Sequence, residues 1–286
     1  MEFGFFDAFQ LPFMARALAT VVVLAVAAGI VGLGISLREL EFVSDGLVHA
    51  VFPGLVIGAA LGGTAALLPG AVVAAVVAAA LFTVLERRGG LGADAAIAVG
   101  LTGLFSLGIV LVSRQDGYVS QLQELLFGRL LTVTEAQFWQ TLVIAVAAIS
   151  VMALTARRQI FRAFDPEGFE AAGFRTLRTD LALGVAVALL VVAGVQALGV
   201  LMVIALLTVP MATARLMTAR FSLLVPLAIL VPLAAGVTGL WLSFTWSVDA
   251  GVPAAPGALV VLLLVAAYGL AAMLRFAIAS GSRGRS

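Results

Sequence analysis

The sequence contains no lysine, no cysteine and a single histidine, His49. Each shortage removes a class of chemistry. A phosphate-cradling Walker A loop needs its lysine, so ATP hydrolysis by that route would have to come from another chain. A thiolate metal centre needs cysteine, and a helix-borne zinc protease motif needs a second histidine. An intramembrane enzyme therefore has few constellations open to it. Charge is scarce as well. Only 11% of residues are charged and the net charge is +1, which argues for neither a nucleic acid nor an acidic partner.

Apolar side chains are abundant. Hydrophobic residues make up 63% of the 286 residues, and the mean hydropathy is +1.20, far too apolar for a soluble domain of this length. The chain is read as an all-α polytopic membrane protein. Runs near the ~20 residues that cross a bilayer occur at about 12–37, 43–63, 65–86, 94–113, 135–155, 180–197, 198–217, 222–244 and 256–276. The stretch 180–217 is nearly continuous, and dividing it at Gln196–Gly199 gives nine spans. Leaving it undivided gives eight. Met1–Gln10 carries Glu2 and Asp7 and lacks the basic start of a cleavable signal, so the run from residue 12 is expected to be retained.

All sixteen basic residues are arginines, and arginines concentrate in cytoplasmic loops. With nine spans and an external N-terminus, only Arg16, Arg114 and Arg129 lie outside; the other thirteen, including Arg38, Arg162, Arg215 and Arg275, lie inside. The C-terminus is then cytoplasmic. Two connecting segments are long. Ser113–Glu135, on the outside, includes an amphipathic run, Tyr118–Leu131, expected to lie along the interface as a short helix. Thr155–Asp180, on the inside, is the most hydrophilic stretch. Its Asp165-Pro166-Glu167 has the form of a helix start, with Asp165 as cap and Pro166 at the first position, and Gly173 is expected to end that helix. A helix there carrying Phe164 and Phe169 would suit docking to a soluble partner; the plainer reading is a loop resting on the lipid headgroups. Gly58-Ala59-Ala60-Leu61-Gly62 is a small-residue pattern that packing alone explains.

Few polar groups lie at membrane depth: Asp45 and His49, Asp94, Gln196, and Thr208–Thr213 around Pro210. Asp45 and His49 are four residues apart, on one helical face, and Pro53 continues that face. An ionisable group within a span costs about 2.5–3.5 kcal/mol on insertion scales, which makes the pair a functional candidate. Carboxylate and imidazole suit a divalent cation of the manganese, iron or zinc type. Two ligands are too few for a closed cage and suit a pathway, from which an ion must also depart. The alternative is that Asp45 caps a helix and His49 is a satisfied polar residue. Asp94 and Gln196 are candidates to join the pathway or hydrogen-bond its ligands, although Asp94 reads equally well as a helix cap.

Asp45-Gly46-Leu47-Val48-His49-Ala50-Val51-Phe52-Pro53-Gly54 resembles the Asp-x-x-Ser-His-Ala-x-x-Pro-Gly signature of permease subunits of the metal-ion ABC importer family, which serve manganese, zinc and iron. Further stretches follow in order: Asp94-Ala95-Ala96-Ile97, Leu125-Leu126-Phe127-Gly128, Phe164-Asp165-Pro166-Glu167, Gln196-Ala197-Leu198-Gly199 with Val209-Pro210-Met211-Ala212-Thr213, and Pro256-Gly257. Val48 and Ala95 stand where the family has serine and threonine, so a supporting hydroxyl is missing at each.

The resemblance implies a single permease domain over 1–286 with the architecture of a type II ABC importer, and an ATPase-coupling loop at about 156–179 that includes Phe164, Asp165, Pro166, Glu167 and Gly173. It implies a homodimer with a central pathway, two copies of a separate ABC ATPase subunit, an extracytoplasmic metal-binding protein, and a place in the cell membrane of a prokaryote. Asp45 and His49 would be metal ligands, and Pro53, Gly54 and Pro210 would shape the pathway backbone. The cargo would be a divalent ion, Zn or Mn or else Fe, with no resident cofactor. Two alternatives stay open: a permease for a metal chelate of the siderophore or cobalamin type, and a proton-coupled secondary transporter.

Overall fold

The structure is a computed structural model, and it describes residues 5–88, 93–114, 126–249, 251 and 254–283. Among these residues there is no strand. The helices are α1 (Phe5–Gln10), α2 (Pro12–Leu37), α3 (Glu41–Gly62), α4 (Leu67–Arg88), α5 (Ala93–Val112), α6 (Glu135–Phe164), α7 (Pro166–Ala171), α8 (Thr176–Leu198), α9 (Val200–Met217), α10 (Phe221–Asp249) and α11 (Pro256–Arg283). Without water in the bilayer core every backbone amide must find its partner within the protein, and continuous apolar runs of about 20 residues, unlike the alternating strands of a barrel, satisfy this as helices. Seven of the helices are long and apolar enough to cross a bilayer. The apolar parts of α4 and α5, Leu67–Phe82 and Ile97–Val112, are shorter.

The break expected near Gln196–Gly199 is present. Gly199 takes φ 79° between α8 and α9, a backbone region that L side chains rarely adopt, so the nearly continuous apolar stretch divides there. Gly199 lies against the backbone of Leu126 and Phe127, and Gly257, at the start of α11, lies against the Phe127 carbonyl. Three of the motifs read in sequence thus meet at one end of the bundle. Arg16 belongs to this end and donates to the Val133 carbonyl at 2.9 Å. The expected interfacial helix at Tyr118–Leu131 falls mostly outside the described residues. What is described is Leu126–Phe127, the left-handed Gly128 and a 3-10 turn at Leu130–Thr132.

At the bundle's centre, α2 packs against α6, α8, α9 and α10, while α3 packs against α4, α5, α8 and α9. The outer helices α6 and α11 turn Val143, Leu154, Leu262 and Leu270 outward. Lipid is as apolar as these side chains, so exposing them there costs nothing comparable to exposure in water.

Two expectations need correction. The connection between α6 and α8 is shorter than 155–180, because α6 continues as a helix to Phe164. A capping box of Thr134 and Gln137 starts this helix, and Arg162 in its last turn suits the negative end of the helix dipole. The small-residue contact also sits one turn from the pattern picked out in sequence. Gly54 and Gly58 of α3 meet Gly70 of α4, and a Cβ on Gly54 would fall 2.5 Å from the Gly70 carbonyl oxygen. Gly62 faces only the Ala66 methyl.

Candidate metal pathway and coupling segment

Asp45 and His49 lie in the first half of α3. His49 Nδ1 is 3.0 Å from the Asp45 backbone carbonyl oxygen and 3.3 Å from Asp45 Oδ1. The side chains are 31% and 19% exposed respectively, so both can still receive a ligand. Their geometry follows from the i, i+4 spacing, which stacks the two groups one turn apart. The imidazole is held from the other side by Phe105 of α5, whose ring meets it edge-on with centroids 5.1 Å apart. Phe105 also packs on Phe52, and Phe52 fills the space opposite Gly108. No sequence signal distinguished Phe105 from the other apolar residues of α5.

Pro53 is buried inside α3 without ending it. Having no N–H, it leaves the His49 carbonyl without its usual i+4 donor. Gly54 is part of the α3–α4 contact. Pro210 is buried within α9, whose neighbouring residues Leu207 and Met211 approach Gly32 of α2.

Among the described residues Asp94 does not join the pair. Asp94 is exposed in the first turn of α5, where a carboxylate favours the helix N-terminus. Gln196 is on α8, and its side chain lies outside the described residues. Among the described residues no group of three or more His, Cys, Asp or Glu side chains is placed to hold a metal ion. Among the described residues Asp45 and His49 thus stand as a carboxylate–imidazole pair with no third such group beside them.

Between α6 and α8 Asp165 caps α7, with the Gly168 N–H donating to Asp165 Oδ1 at 2.8 Å, and Pro166 occupies the first position as expected. Glu167 is exposed in the first turn. Gly173, at φ 78°, closes the turn through its N–H to the Glu170 carbonyl at 2.9 Å. Phe164 is 67% exposed and approaches Phe221, with ring centroids 6.5 Å apart. Phe169, expected to be exposed, is fully buried. It stacks on Phe174 at 5.0 Å and meets Phe161 edge-on at 5.4 Å. A six-residue helix cannot hold itself together, and this aromatic wedge fixes it to the end of α6.

A group that sequence reasoning passed over sits beside this segment. Asp180 of α8 lies 2.7 Å from Arg38 Nη2 and 3.6 Å from Arg162 Nε, and the three side chains are only 10–20% exposed. The available signal was a lone acid following a run of arginines at the start of a span.

The model of the ABC 3 transport family matches residues 10–275. The chain is 30% identical over 251 residues to the manganese transport system membrane protein MntC of Halalkalibacterium halodurans, covering 88% of this chain and 85% of that one. It is 31% identical over 238 residues to the chelated iron transport system membrane protein YfeD of Yersinia pestis, covering 83% and 79%. Among solved structures, PsaBC from Streptococcus pneumoniae in complex with Fab superposes with a TM-score of 0.81 at 26% identity, over 93% of this chain and 94% of that one. An inward-facing metal-chelate type ABC transporter shares the fold, with a TM-score of 0.68 at 15% identity. With a helical bundle, a carboxylate–imidazole pair in its third helix and a family match over nearly its whole length, this membrane-embedded chain belongs to the ABC 3 transport family.

Proposed function

We infer that this chain is the membrane-spanning permease subunit of an ATP-driven importer for a divalent transition-metal ion, manganese, zinc or iron. The observation that carries the reading is the Asp45–His49 pair, two partly exposed hard or borderline donors 3.3 Å apart inside an apolar helix. The names of the relatives, manganese and chelated iron transport proteins, support that cargo class. A two-ligand half-site calls for a second copy. Two chains facing across the pathway would supply two carboxylates and two imidazoles, enough to replace part of an ion's hydration shell while binding weakly enough to release it.

Energy has to come from elsewhere, because a chain without lysine lacks a phosphate loop. Two ABC ATPase subunits at the inner face, docked on α7 and Phe164, and an extracytoplasmic metal-binding protein on the outer face complete the assembly. The arginine distribution supports a cytoplasmic C-terminus.

The test is uptake of manganese into vesicles holding the permease with its ATPase, in competition with zinc and iron. ATP-dependent uptake of the bare ion is expected. Uptake driven by a pH gradient without the ATPase would replace this reading with a proton-coupled carrier, and uptake of a chelate alone would replace it with the chelate class.

A further inference from the structure

The Asp180 carboxylate joins the ends of three helices that also pack on one another. Arg38 caps the end of α2, Arg162 lies two residues before the end of α6, and Asp180 is in the second turn of α8. Next to this ion group the Gln159 amide donates to the Thr179 carbonyl at 2.8 Å, and Arg215 of α9 donates to the Ser36 hydroxyl at 2.9 Å. Stability does not account for such a group. Removing three charges from water costs several kcal/mol per ion, and well-packed apolar side chains commonly do as well.

Position does account for it. Arg162 is one turn from the coupling helix α7, and Arg38 is seven residues before Asp45. The turn from Arg38 into α3 is tight. Glu39 is the only non-glycine residue with positive φ among the described residues, at 54°, and the Leu40 N–H reaches back to the Ile35 carbonyl at 3.0 Å. Strain of that kind persists where surrounding contacts fix it, and the 2.7 Å Arg38–Asp180 pair is such a contact. A cavity of about 30 Å³ lies alongside, lined by Arg38, Ser44, Leu47, Asp180 and Leu183.

We propose that Asp180, shared between Arg38 and Arg162, is the joint that passes movement of the coupling segment to the α2–α3 turn and so to the helix bearing Asp45 and His49. These are positioning residues and need not touch the ion. The Arg162 contact is the longer of the two, so it is the one that yields when α7 moves, while the Arg38 pair keeps α3 tied to α8. The proposal rests on the ATP-driven reading above, and its test is chosen to separate the two.

The chain has no cysteine, so Leu61→Cys and Leu154→Cys, both at strongly exposed positions, give a clean pair of spin-label sites on α3 and α6. The distance between labels is measured in the permease–ATPase complex with and without ATP, alongside ATPase rate and manganese uptake. Arg162→Gln removes the link to the coupling segment and leaves the Arg38–Asp180 pair intact; Asp180→Asn removes both links. The expected result is that ATP shifts the distance in the otherwise native chain and no longer does so in either variant. Hydrolysis should persist within about two-fold while uptake falls about ten-fold, a coupling loss in the usual range for distant sites. If Asp180→Asn fails to assemble, Arg162→Gln decides. An unchanged ATP-dependent shift in Arg162→Gln, parallel loss of hydrolysis and uptake, or no shift in the otherwise native chain would each overturn the joint. The distance readout needs no metal, so failure of manganese uptake together with an intact ATP-dependent shift counts against the cargo assignment and not against the joint.

Discussion

His49 Nδ1 lies 3.3 Å from Asp45 Oδ1, one helical turn away, with the imidazole steadied by the edge of Phe105. If this pair touches the ion in transit, Asp45→Asn should stop metal uptake, since it keeps size and hydrogen bonding but removes the charge that offsets a divalent cation. His49→Ala should do the same by removing a lone pair. Asp45→Glu should keep part of the activity, because the carboxylate moves by one methylene and is not lost. Were Asp45 only a helix cap, Asn would replace it with little cost. Normal uptake by Asp45→Asn at native levels of membrane protein would remove the pair from the pathway.

Phe164 and Phe169 should respond differently although they are five residues apart. Phe169→Ala empties a fully buried site between Phe161 and Phe174 and should cost about 3–5 kcal/mol locally, enough to loosen α7. Phe164→Asp changes an exposed side chain and should leave thermal stability nearly unchanged while abolishing stimulation of the partner ATPase. Thermal unfolding and ATPase rates on the same preparations check this, and unimpaired stimulation in Phe164→Asp would make the segment a plain connector.

The contact of Gly54 and Gly58 with Gly70 leaves no room for a side chain. Gly54→Val should therefore lower stability by about 1–3 kcal/mol or prevent assembly, as overpacking does. Leu61→Val, on the same helix but 83% exposed, should stay within about 0.5 kcal/mol of the native chain. Melting temperatures of the purified proteins make the comparison, and a silent Gly54→Val would mean that α3 and α4 are not in close contact in the membrane.

A topology reporter fused after Ser286 should read as cytoplasmic, and one inserted beside Gly251 as external. The opposite result for the C-terminal fusion would move the orientation by one span, against the arginine distribution.

How much of this was legible beforehand depended on the range of the interaction. The Asp45–His49 pair was readable because i, i+4 geometry is local to one helix. The Asp165 cap and the turns at Gly173 and Gly199 were readable for the same reason, since φ preference and side-chain capping act within a few residues. Phe169 misled because a six-residue amphipathic segment does not say which of its aromatics has a partner. Phe161 and Phe174 supply that partner from outside the helix. The end of α6 was placed too early because a charged helix leaving the membrane loses hydropathy without losing its hydrogen bonds.

The sequence by itself determined the solvent, the secondary structure and the class of chemistry. Apolar runs in a chain with 11% charged residues require a bilayer, continuous runs of about 20 such residues cross it as helices, and one histidine with no lysine or cysteine leaves little beyond a carboxylate–imidazole pair. Tertiary structure alone decided that Gly54 and not Gly62 closes on α4, that Phe105 backs His49, and that Arg38, Arg162 and Asp180 meet. Residues 38 and 180 are far apart in sequence, and no local preference carries information about such a contact. It exists because packing α2, α6 and α8 side by side brings the ends bearing these residues together, where opposite charges taken out of water must find one another.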